Sequence, residues 1–338
     1  MLPANQYPLI IRSMLGFKAD LLAGEAAQIE EMAARWLQVE ETLQDSFDAL
    51  ALELWTLRDV EGVITRTKLL KMQRYRRLLA QVNDQLSAYT DYGVGRVGNG
   101  QLEMIRLGIA HAVENIKSYF RTVGKVAGAF DILPIAAVEA MVGFASDGSP
   151  LRKLFMDSWP SAVDGLTQAL INATALGKNP NETARLMRQG FGVGFQRSIN
   201  IARTEQLRAY RASNLEQYKT SKLVKGYKRL SARDSRVCPA CLMADDGTIY
   251  DLDTPFEEHP QGRCSPVPVV IGMPEVQWQN GQAWFLTQEP NAQRSILGDK
   301  AYEAWLDQKF ELGDIVKRVE NETWGASLVP KPLSELLK

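Results

Sequence analysis

Cys238-Pro-Ala-Cys241, followed by His259 and Cys264, gathers all three cysteines of the chain and one of its two histidines into one short segment. Two thiols with two residues between them can grip one metal ion from a tight turn. A His and a third Cys, with four residues between them, can close the tetrahedron from the other side. Four protein donors leave no coordination position open, which is the pattern of a structural zinc site. Zinc is the default ion for a closed Cys₃His set, although donor type alone does not separate it from iron.

Three other chemistries compete for the same residues. A Cys-Pro-Ala-Cys redox dithiol wants a strand-to-helix context. The flanks instead offer a turn at Asp245-Asp246-Gly247-Thr248 and a short strand at Thr248–Tyr250. The thiols can also be small hydrophobes packed in a reduced interior. Finally, the segment can be the zinc-bearing half of a nuclease, which needs a general-base His besides the metal ligands. With His259 as a ligand, only His111 is left for that task, far upstream in a helical stretch.

The scaffold that must hold such a site reads as mostly helical. From Glu25 to Trp55, apolar residues recur at Ile29, Met32, Trp36, Val39, Leu43, Phe47, Leu50 and Leu54, the three-and-four spacing of a one-sided helix. Its polar side is acidic, with Glu30, Glu31, Glu40, Glu41, Asp45 and Asp48. A break is expected from Arg58 to Gly62. The next helix, Ile64 to Tyr89, is basic, with Arg66, Lys68, Lys71, Arg74, Arg76 and Arg77, and its apolar stripe is Leu69, Leu70, Met72, Tyr75, Leu79, Val82 and Leu86. An acidic helix joined to a basic one predicts an antiparallel hairpin with complementary faces. The six basic residues are also a candidate contact for DNA phosphates or for a partner protein.

Gly93-Val-Gly95-Arg-Val-Gly98-Asn-Gly100 reads as a flexible joint, because no strand precedes it as a dinucleotide fingerprint requires. Helices are expected to resume at Leu102–Ala127, which carries His111, and at Ile135–Phe144 and Ser149–Leu176. Gly177 suits a left-handed helix end. Asn179-Pro-Asn-Glu182 then suits a helix start, with Asn179 as cap, Pro180 at the first position and Glu182 at the capping-box position. That helix should run to about Met187, where Gly190-Phe-Gly192-Val-Gly194 interrupts it as a hinge or close-packing turn. Arg197–Ser221 is a further helix, in which Arg203 and Glu205 read as a charged pair that anchors the cysteine-bearing hairpin. Val224–Leu230 and Ser265–Ile271 read as strands, the second with edge prolines. Two helices, Glu289–Leu297 and Lys300–Trp324, complete the tail.

Length and composition bound the rest. The 338 residues allow two domains, and 45% hydrophobic with 23% charged residues is ordinary for a soluble globular protein. With 39 basic against 40 acidic residues, the chain lacks the basic excess of a protein that coats nucleic acid, which leaves room for a local basic patch. The start shows no basic region followed by an apolar core, and the longest apolar stretch, Ile132 to Ala145, is broken by Pro134 and Glu139 and is too short to span a membrane. Three clustered cysteines with none elsewhere to pair fit a reducing compartment, so the expectation is a soluble chain made in the cytoplasm.

These residues, in this order, resemble the Mu F-type head-morphogenesis, or minor head, proteins of tailed bacteriophages. The matching features are the capped helix at Asn179–Met187, Ile201-Ala-Arg203-Thr204-Glu205, Asp234-Ser-Arg-Val-Cys238-Pro-Ala-Cys241, Gly247, the His259-Pro260 and Arg263-Cys264 element, Ile296-Leu297-Gly298, Trp305 and Trp324-Gly325. The family's last element commonly reads His-Pro-x-Cys-Arg-Cys, and Gly262 stands here in place of the first of those cysteines. The resemblance implies a minor capsid protein of the virion, inside the head or at the portal vertex. Its partners would be the portal or the major capsid protein, with packaged double-stranded DNA as a neighbour and a role in assembly or genome delivery.

The expected fold is therefore mainly α, with a long N-terminal helical region, a small α+β zinc-knuckle-like element and a helical C-terminal tail. Its expected divisions are 1–98, 99–176, 177–275 and 276–338. The expected ligands of a structural zinc are Cys238, Cys241, His259 and Cys264. No catalytic residue, membrane or small-molecule substrate is expected, the alternative being a DNA-acting enzyme packaged in the head. Glu320-Asn-Glu322 matches the paired-acid element of ADP-ribosyltransferases, but the accompanying Ser-Thr-Ser strand is missing and Glu320 falls in a stretch that reads as helix.

Overall fold

The structure, a computed structural model, describes residues 7–61, 64–145, 148–321 and 324–338. It is mainly helical, as the sequence predicts. Eleven helices are seen among the described residues: α1 Leu9–Glu61, α2 Arg66–Lys71, α3 Gln73–Thr122, α4 Leu151–Ala175, α5 Pro180–Phe191, α6 Val193–Ser221, α7 Pro239–Met243, α8 Gly281–Leu286, α9 Pro290–Leu297, α10 Asp299–Leu306 and α11 Leu333–Leu336. Four strands join them: β1 Val224–Leu230, β2 Ser265–Val270, β3 Val316–Asn321 and β4 Gly325–Pro330. The chain divides into two compact units, one of residues 1–24, 100–142 and 204–338 and one of residues 25–99 and 143–203.

The unit of residues 25–99 and 143–203 is built of helices around an aromatic centre. The predicted stripe on α1 is buried at Met32, Trp36, Val39, Leu43, Phe47, Leu50 and Leu54. Trp36 sits 4.8 Å from the Phe191 ring and 5.0 Å from Tyr89. Aromatic pairs of this kind contribute about 0.5–1.5 kcal/mol beyond their burial. On the basic helix the buried residue is Leu78 rather than Leu79, and Leu70 is exposed. The acidic and basic helices do face each other, through Arg74–Glu53 at 2.6 Å and Arg96–Glu31 at 2.5 Å.

Glycine-rich segments account for most of the differences from the sequence reading. Gly93–Gly100 is no joint, because α3 runs through it. A Cβ at Gly93 would stand 2.8 Å from the Phe155 ring, so the glycine serves helix-to-side-chain packing and the long helix pays a local propensity cost for it. Likewise α5 continues past Met187 to Phe191, and the interruption is confined to Gly192. Gly165 and Gly190 let α4 and α5 touch backbone to backbone, since a Cβ on either would lie 2.3 Å from the other's carbonyl oxygen. The helix start at Asn179 is as predicted, with its side chain accepting from Glu182 N at 2.9 Å. Glu182, however, grips Arg185 at 2.7 and 2.9 Å. Gly177 takes the left-handed conformation at φ 64°.

The expected break from Arg58 onward also differs, since α1 extends to Glu61, and Gly62 lies outside the described residues. The expected helix Ile135–Phe144 is two short 3₁₀ turns, Ile135–Ala137 and Glu139–Met141, consistent with Pro134 limiting the chain there.

In the unit of residues 1–24, 100–142 and 204–338, β1 and β2 pair antiparallel, with Leu230 opposite Ser265 and Tyr227 opposite Pro268. Tyr227 also exchanges two 2.8 Å backbone bonds with Tyr250, the only part of the expected Thr248–Tyr250 strand that pairs. Ile10, Ile11, Ile116, Tyr218, Tyr227, Val267 and Val270 form the core under this sheet. A second core, with Leu242, Met243, Trp284, Phe285 and Ile296, packs α7 against the tail. The tail departs from the expected helix Lys300–Trp324: α10 ends at Leu306, and β3 and β4 form an antiparallel hairpin. Val316 and Val319 stand three residues apart, a spacing that a helix shares, so local pattern did not reveal the strand. Glu320 thus lies on a strand, and Glu322 lies outside the described residues.

Candidate metal centre

The register of β1 and β2 places the site. Leu230 pairs with Ser265, so the segment leaving β1 and the segment entering β2 run side by side. The first carries Cys238 and Cys241 and the second carries His259 and Cys264. Cys238 is the N-cap of α7 and Pro239 its first residue, an arrangement proline's fixed φ favours. One helical turn then separates the two thiols, which puts both on one side.

Cys238, Cys241 and His259 bring their donor atoms within 4.8 Å of one another, and so do Cys241, Glu258 and Cys264. Cys241 belongs to both groups. Its Sγ lies 3.2 Å from His259 Nε2 and 3.1 Å from Glu258 Oε1. His259 Nδ1 sits 2.8 Å from the carbonyl of Pro260. A proton on Nδ1 would be held there, leaving Nε2 directed at the thiols, the orientation that metal-bound imidazoles commonly require. The donor set therefore fits a metal ion.

Held this close, the donors shift one another's titration. Hydrogen bonding from Cys241 and His259 lowers the Cys238 pKa to about 5 against the opposing effect of burial. Cys241 is pushed up by its hydrogen bonds with Cys238 and Cys264 and by burial. Burial by itself disfavours the His259 imidazolium, but Cys238 and the Glu258 charge outweigh it and raise its pKa to about 9.

Buried ion pairs frame the donors. Arg229 Nη2 lies 3.1 Å from Glu258 Oε2, with the two side chains 4% and 1% exposed. Arg229 also donates to the carbonyl of Glu257 at 2.8 Å and stacks 4.2 Å over Phe256. Arg211, from α6, donates to the carbonyl of Gly262 at 2.8 Å. Burial opposes ionisation of Glu258, yet Arg229 and Arg211 hold its carboxyl below the usual range. On the other strand segment, Asp245 Oδ2 accepts from Ser231 N, Ser231 Oγ and Arg233 Nη2 at 3.0, 2.8 and 2.5 Å. Arg263 donates twice to Asp234, at 2.5 and 2.9 Å.

The residues singled out in the sequence fall in different places. Arg203 pairs with Glu25 at 2.5 Å, and Glu205, whose side chain is fully buried, is held by Arg208 at 2.8 Å. Between them in sequence, Thr204 Oγ1 accepts from Gln261 N at 3.2 Å, a direct tie from α6 to the turn after His259. Lys71, Arg74, Arg76 and Arg77 are exposed, as is Arg66, which pairs with Asp164 at 2.8 Å, while Lys68 is half-buried. His111 stacks 3.7 Å from Phe17 and sits 3.0 Å from Tyr210 Oη, and burial lowers its pKa to about 4. Glu258, Arg229, Arg211, Arg233 and Asp245 escaped the sequence reading. A charged residue that is buried only because a distant partner meets it leaves no local pattern.

Among the described residues no helix is long and apolar enough to cross a membrane. No curated protein and no solved structure matches the chain. Residues 164–266, the stretch from α4 through the cysteine cluster into β2, match the family described as Phage Mu protein F like protein, so this part of the chain is similar to the Mu F-like phage head-morphogenesis proteins that the sequence resembles.

Proposed function

We propose that this protein is a minor component of the phage head that acts by binding, at the portal vertex and beside the packaged genome, and that a structural zinc ion staples its small β element. Cys238, Cys241 and His259 grip the ion, and Cys264 is the fourth ligand named by the sequence spacing. The observation that carries the reading is the convergence of Cys238, Cys241 and His259, within 4.8 Å of one another, inside the segment that matches the phage family. A two-stranded sheet by itself is marginal, and metal binding contributes on the order of 10 kcal/mol in small metallo-elements, which would add to the core packed under β1 and β2.

Binding is favoured over turnover because a zinc-dependent nuclease needs a base outside the ligand set, and His111 is sealed against Phe17 and Tyr210. The exposed residues Lys71, Arg76 and Arg77 are the proposed contact for DNA phosphates or an acidic portal surface. Two measurements test this. Elemental analysis of the purified chain should give one zinc per chain, and the protein should co-purify with heads or portal. A metal-free chain would remove the staple, and DNA cleavage with added divalent metal that vanishes in His111→Ala or His259→Ala would replace binding by catalysis.

A further inference from the structure

Resting on that metal reading, we infer that Glu258 is itself a metal ligand and takes the fourth position that the sequence spacing gives to Cys264. Glu258 Oε1, Cys241 Sγ and His259 Nε2 form a triangle with edges of 3.1, 3.2 and 3.5 Å. A tetrahedral ion with bonds of about 2.3 Å to sulfur and about 2.0 Å to nitrogen or oxygen spaces such donors roughly 3.3–3.5 Å apart. The three atoms are thus already arranged close to one face of a metal tetrahedron. Cys238, within 4.8 Å of both Cys241 and His259, is the apex. Cys264 reaches this group through Cys241 and Glu258.

Two further observations point the same way. The Glu258 side chain is 1% exposed and divides its oxygens between two tasks. Oε2 accepts from Arg229 at 3.1 Å, while Oε1 faces the thiol of Cys241 and the amide of His259. When a divalent ion displaces the protons of Cys238 and Cys241 to solvent, thiolate and carboxylate become two buried anions 3.1 Å apart, an arrangement that a shared cation stabilises. Secondly, the carboxylate can lie there only because position 262 is glycine. A Cβ at Gly262 would stand 2.1 Å from Glu258 Cγ and 2.5 Å from Oε1.

The test uses the full-length chain loaded with cobalt(II), whose thiolate charge-transfer intensity counts sulfur ligands and whose visible bands report geometry. The wild type should show two thiolates per ion in a tetrahedral field. Cys264→Ser should keep both the spectrum and one ion per chain. Glu258→Ala, and independently Gly262→Ala, should shift the visible bands and weaken metal binding at least tenfold, with the two-thiolate intensity kept at saturation. Three thiolates per ion in the wild type, or loss of metal from Cys264→Ser with an unchanged spectrum in Glu258→Ala, overturns the assignment. The wild-type count decides even if a variant fails to fold. An absence of bound metal in the wild type would instead sink the metal site as a whole.

Discussion

Arg263 clamps Asp234 through two parallel hydrogen bonds of 2.5 and 2.9 Å, and this pair ties together the two chain segments that carry the candidate metal donors. Asp234 lies four residues before Cys238, and Arg263 immediately precedes Cys264. A planar guanidinium fits a carboxylate in this bidentate way, whereas an ammonium meets it as a point charge. Groups that orient metal ligands typically change affinity 10–100-fold when removed. Asp234→Ala and Arg263→Ala should therefore each weaken zinc binding roughly tenfold or more, and Arg263→Lys should recover only part of the loss. Competitive titration against a chromophoric chelator checks this, and wild-type affinity in Asp234→Ala would remove the clamp from the account.

The same pair gives a pH dependence. Burial opposes ionisation of Asp234, but Arg263 outweighs it and holds the carboxyl below its ordinary value. A depressed folded-state pKa contributes stability that is present above the unfolded value and is lost as pH falls through the folded one. Denaturation of the wild type should thus lose stability in the acid range below about pH 4, and Asp234→Asn should show a smaller acid dependence there. Equal slopes in the two proteins would contradict it.

Metal uptake should run in the opposite sense to acid. His259 is held protonated up to about pH 9 in the metal-free protein, and it must lose that proton to ligate. The apparent affinity for zinc should then rise steadily from pH 6 to 9, with proton release detectable by calorimetry in buffers of different ionisation enthalpy. A pH-independent affinity across this range would mean that neither His259 nor Cys241, whose thiol is also pushed up, gives a proton up to the metal.

Much of this was legible in the sequence, and the reasons it stopped being legible are specific. The cysteine spacing drew attention to the site, and β1, β2 and the cap at Asn179 followed from local chemistry that each carries in a few residues. Gly93–Gly100 did not, because a glycine run reads the same whether it bends the chain or admits a neighbour, and only the Phe155 ring distinguishes the two. Glu258 escaped for a related reason. Next to Glu257 it looks like one half of a solvated acidic pair, yet Arg318 grips Glu257 at the surface at 2.7 Å while Arg229 draws Glu258 inward. Which neighbour turns in follows from partners far away in sequence, Arg229 on β1 and Arg318 on β3.

The zinc staple should be local in its effects. Cys238→Ser or Cys241→Ser, or chelation of the wild type, should speed amide exchange between about residues 230 and 271. Protection in residues 25–57, which sit in the other compact unit, should persist. Exchange mass spectrometry reads both at once. An unchanged 230–271 segment would show that packing alone holds the β element.

In the unit of residues 25–99 and 143–203, α4 and α5 meet at Gly165 and Gly190, where either Cβ would lie 2.3 Å from the opposite carbonyl oxygen. A backbone atom cannot swing aside as a side chain does, so Gly165→Ala or Gly190→Ala should force the helices apart. The expected loss is about 1–3 kcal/mol, offset only slightly by alanine's better helix propensity. Chemical denaturation measures it, and a neutral or stabilising substitution would show that the two helices tolerate separation.

Asp245 offers the largest predicted effect on stability. Its side chain is fully buried, accepts three hydrogen bonds on one oxygen, and is the carboxylate that meets Arg233, itself 3% exposed. Arg233 adopts φ 56°, a left-handed backbone uncommon for a residue with a Cβ, and also donates to the carbonyls of Gln279 and Asn280. That network joins the end of β1 to the entry of α8. Asp245→Ala would leave a buried guanidinium without its counter-charge, at a cost of about 3–5 kcal/mol. Replacing both partners, as Asp245→Ala with Arg233→Met, should recover part of the loss, because the uncompensated charge disappears together with the pair. A double-mutant cycle by urea denaturation checks the coupling. If the double variant is as unstable as the sum of the singles, the two residues act independently and the pair is not what holds β1 to α8.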